Sequence, residues 1–518
     1  MCRGSVGGLS AVTGFGEVTV VGSRRGFLAA GGLGVAAAVV SGPVRAAAGR
    51  DRAGVRSPDA GAWRDLQRAL GPGAALFRPG DAQHVALSSP FNTRYAAVRP
   101  AGIVSCASVA DVQAAVRWAA RYGVPLVPRS GGHSTAGHSS TPGLLVSVRR
   151  IDTVGVSRAG GLSVGGGATN SDVYAARAAG LYFPGGRCPG VGVAGLTLGG
   201  GIGFNDRRWG LSCDNLLSTQ VVLADGSVTW CDANRNADLF WACRGGAGGN
   251  FGINTHFTYT AQPVARQQAT VFDISAGFTH AQRIVDTVQE LLAADTAGAF
   301  DFRIRFTNPG TGTPPVLNLL GQYLGDETTL RRMFTPILAT RPDRTFIEER
   351  TFWSAQDYLL IQATGIPSQT KSVVTRDWLS AGAVRTVTDW ISNWTPAAPR
   401  NEAFVAFFAM GGAIDRTGTA DTAYPHRGAR YICELHTNWA DQDPPSVAEA
   451  SIAAANAFYP TLQRDLNSRS AYVNFPDNDL GQWQRAYYGD NYPRLLRIKD
   501  HYDPTLFFRH AQSIGTRP

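Results

Sequence analysis

Two segments of the chain combine residues that could hold a cofactor and react with it. The first is the loop at residues 128–134, Pro-Arg-Ser-Gly-Gly-His-Ser, in which His133 follows two consecutive glycines. Glycines let backbone N–H groups turn inward around a phosphate, because no side chain blocks the approach. Taken alone, this pattern also fits an ordinary tight turn with a surface histidine.

The second segment, residues 185–203, is a long run of small residues that contains Cys188 and Pro189. In such a run the backbone itself can line a cofactor. The segment lacks the strand, Gly-x-Gly-x-x-Gly, helix and later acidic residue that define a Rossmann unit. By itself Cys188 also fits a small buried hydrophobe, the usual role of a free cysteine. Together the two segments favour a cofactor site.

Helices and strands alternate around these segments. Ser108 can cap a helix over Val109–Tyr122, with Asp111 suited to the helix dipole and Gly123 as the stop. The dipeptide Asp225-Gly226 predicts a hairpin turn. Strands are predicted at residues 124–127 and 144–148.

Beyond about residue 265 the glycine density falls and longer alternating segments begin. The predicted strands there are residues 269–274, 302–306, 316–324, 404–410 and 430–439. A helix over residues 279–293 has its apolar side chains on one face. These patterns predict an α+β fold, in which a second domain has an antiparallel sheet covered by helices on one face.

The predicted domain boundaries follow these changes in composition. The segments are a signal peptide at 1–48, a cofactor-binding domain at 49–264, a substrate-binding domain at 265–465, and a C-terminal segment at 466–518 that returns to the first domain.

Composition excludes several classes of protein. The chain has 518 residues, a net charge of +9 and no run of five basic residues, so a nucleic-acid footprint is not expected. Seven cysteines are too few for a disulfide scaffold of this size. No Cys-x-x-Cys pair or histidine cluster predicts a metal site. The sequence leaves disulfide pairing open among Cys106, Cys213, Cys231 and Cys243.

The N-terminal segment has the pattern of an export signal. Arg24 and Arg25 precede a short apolar stretch, and small residues up to Ala48 offer a cleavage site. A membrane anchor is the alternative, but residues 29–38 are mostly glycine and alanine and fall short of the roughly 20 strongly apolar residues that a span needs. The adjacent arginines predict secretion by the twin-arginine route, with no stable membrane anchor.

Five motifs resemble the berberine-bridge-enzyme-like branch of the vanillyl-alcohol-oxidase and p-cresol-methylhydroxylase flavoproteins. They are residues 129–134, 188–193, 199–203, 209–215 and 238–253. The likeness is strong over residues 95–260 and good over 465–515, where residues 472–475, 487–491 and 502–507 carry it. Residues 134–137 read Ser-Thr-Ala-Gly rather than the Asp-Tyr-Glu-Gly of plant members, so plant substrates are not implied.

The resemblance implies a two-part FAD-binding domain and a flavin bonded at two points. His133 would bond to the 8α-methyl carbon and Cys188 to ring carbon C6, since an imidazole or a thiolate can add to an electrophilic flavin. The expected cofactor-binding residues are Arg129, Ser130, Gly131, Gly132, His133, Ser134, Cys188, Val191, Gly192, Val193, Gly195, Thr197, Gly200, Gly201, Gly203, Asn250, Gly252, Ile253 and Asn474.

The resemblance also implies the residues that react with substrate. Oxidation of an alcohol by a flavin needs a base for the hydroxyl proton. Tyr472 is the first candidate, although core packing would also explain it. Glu434 is the second, although a solvated strand face would also explain it. Val191 stands where the family governs oxygen access, and a valine there is associated with oxidase behaviour.

Other aromatic and histidine side chains are given simpler interpretations. His138 is expected near the flavin, whereas His426 and His436 are expected to be hydrogen-bonded structural or cleft groups. An open cleft for a sugar or a glycosylated product is expected to be lined by Phe404, Phe407, Phe408 and Trp439.

The expected activity is a secreted FAD-dependent oxidase that moves a hydride from an alcohol or hemiacetal carbon of a sugar, oligosaccharide or glycoside, with oxygen as acceptor. One alternative is a dehydrogenase of the same fold with another acceptor. Another is a secreted carbohydrate-binding protein that has lost turnover. The oligomeric state cannot be inferred from the sequence.

Overall fold

The computed structural model describes residues 58–516, with the exception of residues 158, 159 and 362. The predicted signal peptide therefore lies outside the described residues. Within the described part, no helix is both long and apolar enough to cross a membrane.

Eighteen strands are present in the described chain. They are β1 Ala75–Phe77, β2 Gly102–Ser105, β3 Leu126–Arg129, β4 Leu144–Ser147, β5 Val154–Val156, β6 Leu162–Gly165, β7 Leu181–Tyr182, β8 Leu216–Val222, β9 Val228–Asp232, β10 Ile253–Tyr259, β11 Gln262–Pro263, β12 Gln268–Ala276, β13 Phe300–Asn308, β14 Val316–Tyr323, β15 Arg344–Thr351, β16 Ser368–Thr375, β17 Glu402–Ala409 and β18 Tyr431–Asn438.

Fifteen α-helices connect and cover these strands in the same part of the chain. They are α1 Ala60–Ala69, α2 His84–Ser88, α3 Val109–Tyr122, α4 Asn170–Tyr174, α5 Val193–Leu198, α6 Asp206–Trp209, α7 Ala237–Ala242, α8 Ala281–Ala294, α9 Glu327–Met333, α10 Thr335–Leu338, α11 Phe352–Leu359, α12 Ala381–Asn393, α13 Pro445–Asp465, α14 Trp483–Tyr488 and α15 Tyr492–Tyr502.

The first sheet has the order β1-β2-β4-β3, with β2, β4 and β3 parallel. Helix α3 crosses from β2 to β3, and its predicted bounds are confirmed. Ser108 and Asp111 form a reciprocal capping box at its start, and Gly123 ends it with a φ of 63°. This crossover delivers the chain to the loop that carries His133.

The second sheet is antiparallel, with the order β5-β6-β10-β8-β9. The predicted hairpin turn joins β8 and β9, and Gly226 supplies the positive φ of 77° that the turn requires. Residues 183–203, which include α5, run as a loop and short helix beside this sheet rather than as a strand of it.

The third sheet is the large antiparallel one that the sequence predicts, with the order β15-β12-β14-β13-β17-β18-β16. Its phenylalanines at positions 300, 302 and 306 face the helix layer formed by α8, α12 and α13 in one core cluster. Because side chains alternate along a strand, Arg303 and Arg305 lie on the opposite face. The sheet therefore has one apolar face and one face with charged groups.

The C-terminal segment is bound to the rest of the molecule by buried polar contacts. Lys499 Nζ donates to the carbonyl oxygens of Asn250 and Phe508 and pairs with Asp503. Lys371 Nζ on β16 lies 2.6 Å from a carboxylate oxygen of Asp477. The second contact fixes the segment around Asp477 at the edge strand β16 of the large sheet. The domain boundaries themselves stay a prediction.

All six cysteines within the described residues are free thiols. Five of them are buried, and Cys188 is half-buried. The structure thus shows no disulfide in the described chain, including among the four cysteines for which the sequence left pairing open.

Candidate active site

A cavity of about 530 Å³ lies between the two glycine-rich loops, the charged face of the large sheet and the C-terminal segment. Its walls contain both His133 and Cys188, together with Tyr472 and Glu434. Four residues that the sequence singled out, from both the first and the last part of the described chain, therefore line one cavity.

His133 follows β3 and is held by an aromatic neighbour. Its imidazole stacks on the ring of Phe91, with ring centroids 4.0 Å apart and planes inclined by 18°. Burial lowers the pKa of His133 to about 4. The imidazole is therefore neutral near pH 7, the form in which a ring nitrogen has a free lone pair and can act as a nucleophile.

Cys188 lies in the loop that precedes α5. Asn170 Nδ2 donates to the backbone oxygen of Cys188 at 2.9 Å and so fixes the loop from behind. Burial raises the pKa of the Cys188 thiol to about 11, while the neighbouring Arg187 guanidinium opposes that shift. The thiol is thus protonated near neutral pH, and Arg187 is the adjacent charge that favours its ionisation.

The backbones of the two loops approach so closely that side chains would not fit between them. A Cβ on Gly131 would clash with the backbone nitrogen of Gly192 and the backbone oxygen of Gly190. A Cβ on Gly190 would lie 3.2 Å from His133 Nε2. Because the two glycine loops form one continuous cradle that brings both reactive side chains to one cavity, the residues fit a flavin dinucleotide.

Most of the expected cofactor-binding residues line the cavity, but six do not. Those in the wall are Arg129, Ser130, Gly131, Gly132, His133, Ser134, Cys188, Val191, Gly192, Gly195, Gly252, Ile253 and Asn474. Those behind it are Val193, Thr197, Gly200, Gly201, Gly203 and Asn250.

Two of the expected cofactor-binding residues make hydrogen bonds to other parts of the protein and so stabilise the site. Thr197 Oγ1 lies 2.8 Å from the hydroxyl of Tyr259, away from the cavity. Arg129 lines the cavity, yet its guanidinium donates to the carbonyl oxygens of Leu87, Ser88 and Ser139. These bonds tie the loop after β3 to α2, so we assign Arg129 to holding the loop in place.

Tyr472 is buried, and its hydroxyl accepts two hydrogen bonds. The N–H of Gly201 donates to Tyr472 Oη at 2.9 Å, and Asn474 Nδ2 donates at 3.1 Å. Burial raises the pKa of Tyr472, whereas the two donors lower it because they favour the phenolate. Gly201 thus belongs to the site through its N–H group, although its Cα lies behind the wall.

Glu434 projects from β18 into the cavity. Burial raises its pKa to about 7, and the guanidinium groups of Arg305, Arg303 and Arg187 oppose the shift. His436 Nδ1 lies 3.7 Å from Glu434 Oε1, but burial lowers the pKa of His436 to about 3. The contact is therefore not an ion pair at neutral pH, and Glu434 is poised to gain or lose a proton there.

This carboxyl gives a prediction about pH. Glu434 ionises near its ordinary pKa of 4.5 in the unfolded chain but only at a pKa of about 7 in the folded protein, so it lowers the stability of the wild type as pH rises from 4.5 to 7. We expect the melting temperature of Glu434→Gln to rise relative to the wild type over the same interval, measured by thermal unfolding. Glu290→Gln, at an exposed position of α8, is the control. A constant difference between Glu434→Gln and wild type from pH 4.5 to 8 would contradict the assignment.

Two of the four aromatic residues predicted to line the cleft are placed correctly. Phe404 and Phe408 line the cavity. The prediction is wrong for Phe407, which packs on the helix side against Tyr431, and for Trp439, which is buried beyond the end of β18. Phe407 is adjacent to Phe408, and successive side chains of a strand point to opposite faces. Phe407 therefore points to the other face of the sheet.

Of the three histidines with simpler interpretations, His426 is buried, and His138 and His436 are half-buried. His138 lines the cavity and stacks on His510, with ring centroids 4.2 Å apart. His436 also lines the cavity, stacks on Phe404 and contacts Thr370 Oγ1 at 3.0 Å. His426 lies outside the cavity wall against the ring of Tyr424.

The sequence analysis missed the charged residues opposite the glycine loops. Arg303 and Arg305 on β13 and Glu402 on β17 line the cavity. The available signal was the pattern Phe-Asp-Phe-Arg-Ile-Arg-Phe at residues 300–306, in which charged and apolar side chains alternate over a buried strand.

Comparison with known families and structures is consistent with this geometry. A family model described as an FAD binding domain matches residues 100–232. A second, described as berberine and berberine like, matches residues 471–515. The first match contains both glycine loops, and the second contains Tyr472 and Asn474.

Relatives along most of the chain share the same architecture. The FAD-linked oxidoreductase YgaK of Bacillus subtilis is 32% identical over 423 residues, covering 80% of this chain and 90% of its own. The structure of a berberine-bridge-enzyme-like protein from Physcomitrella patens superposes with a TM-score of 0.77 at 26% identity, over 88% and 99% of the two chains. That of a carbohydrate oxidase from Microdochium nivale, in complex with a substrate analogue, gives 0.75 at 25% identity, also over 88% and 99%.

Proposed function

The chain belongs to the berberine-bridge-enzyme-like FAD-linked oxidoreductases, and from this premise we propose that it is an exported oxidase of sugars with a doubly tethered flavin. The observation that carries the proposal is the shared cavity of His133, Cys188, Tyr472 and Glu434. A protein that only binds carbohydrate would need neither the two nucleophiles nor the proton acceptors beside them.

FAD supplies the acceptor for the substrate hydride when it is bound. His133 and Cys188 would hold it through covalent bonds, and the glycine loops would line the remainder of the cofactor. We assign removal of the substrate's hydroxyl proton to Tyr472, because the N–H groups that point at its Oη favour the phenolate and so oppose burial, which keeps the pKa of this phenol above its ordinary value. Glu434 is the second proton acceptor, with a pKa near neutrality.

The proposed substrate is a sugar or oligosaccharide oxidised at an alcohol or hemiacetal carbon. Support comes from the carbohydrate oxidase named above and from a xylooligosaccharide oxidase of Myceliophthora thermophila in complex with xylobiose, which is 25% identical with a TM-score of 0.74. Phe404 and Phe408 provide apolar surface in the same cavity for a sugar ring.

Oxygen is the proposed acceptor of the electrons, and hydrogen peroxide the product. The support is Val191, which lines the cavity three residues beyond Cys188 and occupies the position tied to oxygen access by family resemblance. Export is proposed from the paired arginines and small residues of segment 1–48. The amino terminus of protein recovered from culture medium would then begin close to residue 49.

The function is tested with the purified holoenzyme and a panel of neutral mono- and oligosaccharides. Without oxygen, a substrate should bleach the visible flavin absorbance. In air, one hydrogen peroxide should form for each sugar oxidised. Bleaching without peroxide in air, relieved by another electron acceptor, would identify a dehydrogenase. Failure of every sugar and alcohol to bleach the flavin, despite binding, would identify a carbohydrate-binding protein.

A further inference from the structure

Three arginines line the cavity: two lie on the large sheet opposite the glycine loops, and the third belongs to the second glycine loop. Arg303 and Arg305 project from β13, and Arg187 precedes Cys188. The register of the sheet aligns Arg305 with Ala406 of β17 and Ala406 with Glu434 of β18. Two strand spacings separate Arg305 from Glu434, or about 10 Å between Cα atoms. The short side chain of Ala406 leaves room between them.

Among the described residues, only one of the three guanidinium groups forms an ion pair with a carboxylate. Arg305 pairs with Glu402, and its guanidinium also lies 3.9 Å from the centroid of the Phe404 ring. This cation is therefore neutralised within the protein, and its position is fixed from two sides.

Arg303 is in a different situation. Its Nη2 donates to Asn318 Oδ1 at 3.1 Å, which is a bond to a neutral amide. Its Nε, like that of Arg305, is buried and has no hydrogen-bond partner among the described residues, so the missing carboxylate is what distinguishes Arg303. No carboxylate of the described chain lies within ion-pair distance of it. Burying a guanidinium whose N–H groups lack acceptors costs free energy unless an anion accepts their hydrogen bonds.

Among the described residues, Arg187 also has no ion-pair partner and no acceptor for its buried Nε. Its guanidinium lies between the rings of Phe204 and Phe408, 4.6 and 4.3 Å from their centroids, and donates to the backbone oxygen of Gly203. Asp206 and Asp301 lie near it, but burial raises the pKa of both, to about 7 for Asp301, so they offset the charge incompletely.

We propose that the substrate carries a carboxylate, as a uronic acid or an oligosaccharide that contains one does, and that Arg303 binds this group with Arg187 and Arg305 on either side. This inference rests on the proposed function, because it specifies which sugars the site takes. The planar guanidinium matches a carboxylate with two parallel hydrogen bonds, which a neutral hydroxyl cannot accept in the same way. A neutral sugar would leave the arginine donors incompletely bonded.

The test compares glucuronate with glucose and with glucuronamide, which has the shape of glucuronate without its charge. In the wild-type holoenzyme, kcat/KM for glucuronate should exceed that for either neutral sugar by about tenfold or more. Arg303→Gln should remove this preference, mainly through KM. Arg303→Lys, which keeps the charge and loses the planar fork, should retain part of it. Arg344→Gln, on the exposed edge strand β15, is the control and should keep the full preference.

The outcomes separate this inference from the proposed function. Equal kcat/KM for all three sugars in the wild type would overturn the inference and leave the oxidase assignment intact. If none of them is oxidised, calorimetric titration of the holoenzyme with glucuronate and glucuronamide decides the inference alone. Tighter binding of glucuronate that Arg303→Gln abolishes would support the carboxylate site, and equal binding would overturn it.

Discussion

The Tyr472→Phe variant is expected to keep its flavin and lose activity, with kcat lower by about 10²- to 10⁴-fold. The substitution removes only the hydroxyl oxygen that accepts the N–H groups of Gly201 and Asn474. The ring stays packed against Phe475 and Tyr424. The measurement is the rate of flavin bleaching in a single turnover without oxygen, which isolates the hydride step from reoxidation.

Tyr424→Phe provides a closely matched control. Tyr424 lies in the same core cluster and is equally buried, but its hydroxyl has no hydrogen-bond partner among the described residues and does not line the cavity. Its loss should change the bleaching rate by less than about threefold. If Tyr472→Phe behaved like Tyr424→Phe, the base would have to be another group, and Glu434 would be the remaining candidate.

The second large effect is expected from the two tethering residues. His133→Ala and Cys188→Ala should each leave one covalent bond, so acid-precipitated protein stays yellow. The double variant should give a colourless pellet with all FAD in the supernatant, because only noncovalent contacts remain. Intact mass spectrometry should show an adduct of FAD size on each single variant and none on the double variant.

Cys106→Ala is the control for loss of a thiol, since Cys106 is a buried free cysteine outside the cavity. It should carry the same adduct as the wild type. An adduct that survives in the double variant, or that maps to a side chain other than these two, would contradict the proposed attachment.

The parts of the fold predicted well are those with strong local signals. Helix α3 was predicted to the residue because a capping box and a glycine stop mark both ends. The strands of the large sheet that were predicted have apolar residues on alternate positions, although the observed strands are longer at their ends in several cases.

The two strands that the sequence analysis missed, β15 and β16, are the edges of that sheet. Strand β15 reads Arg-Thr-Phe-Ile-Glu-Glu-Arg-Thr, and charged residues on an edge protect it from pairing with other chains. Strand β16 is polar yet fully buried, because the C-terminal segment covers it. Ser470 accepts from the Val374 N–H, and Asp477 pairs with Lys371. Contacts between distant residues, not local pattern, decide that strand.

The same distinction applies to the site. His133 and Cys188 stand in glycine-rich loops that are recognisable locally, so they could be identified from the sequence. The position of Arg303 and Arg305 in the cavity depends on the register of β13, β17 and β18, which spans residues 300–438 and has no local signature. The wrong assignment of Phe407 has the same origin, since the strand phase could not be inferred from the continuous apolar run at residues 403–410.

The position of Tyr472 near the end of the chain has a consequence for biosynthesis. Its backbone N–H donates to Ser372 Oγ and its phenol oxygen accepts from the Gly201 N–H, so Tyr472 and the lining residues that follow it close a chamber whose other walls precede them in the chain. A nascent polypeptide therefore lacks part of the chamber until the segment from residue 472 onward has left the ribosome. A chain truncated before residue 472 is accordingly expected to be unable to enclose the flavin.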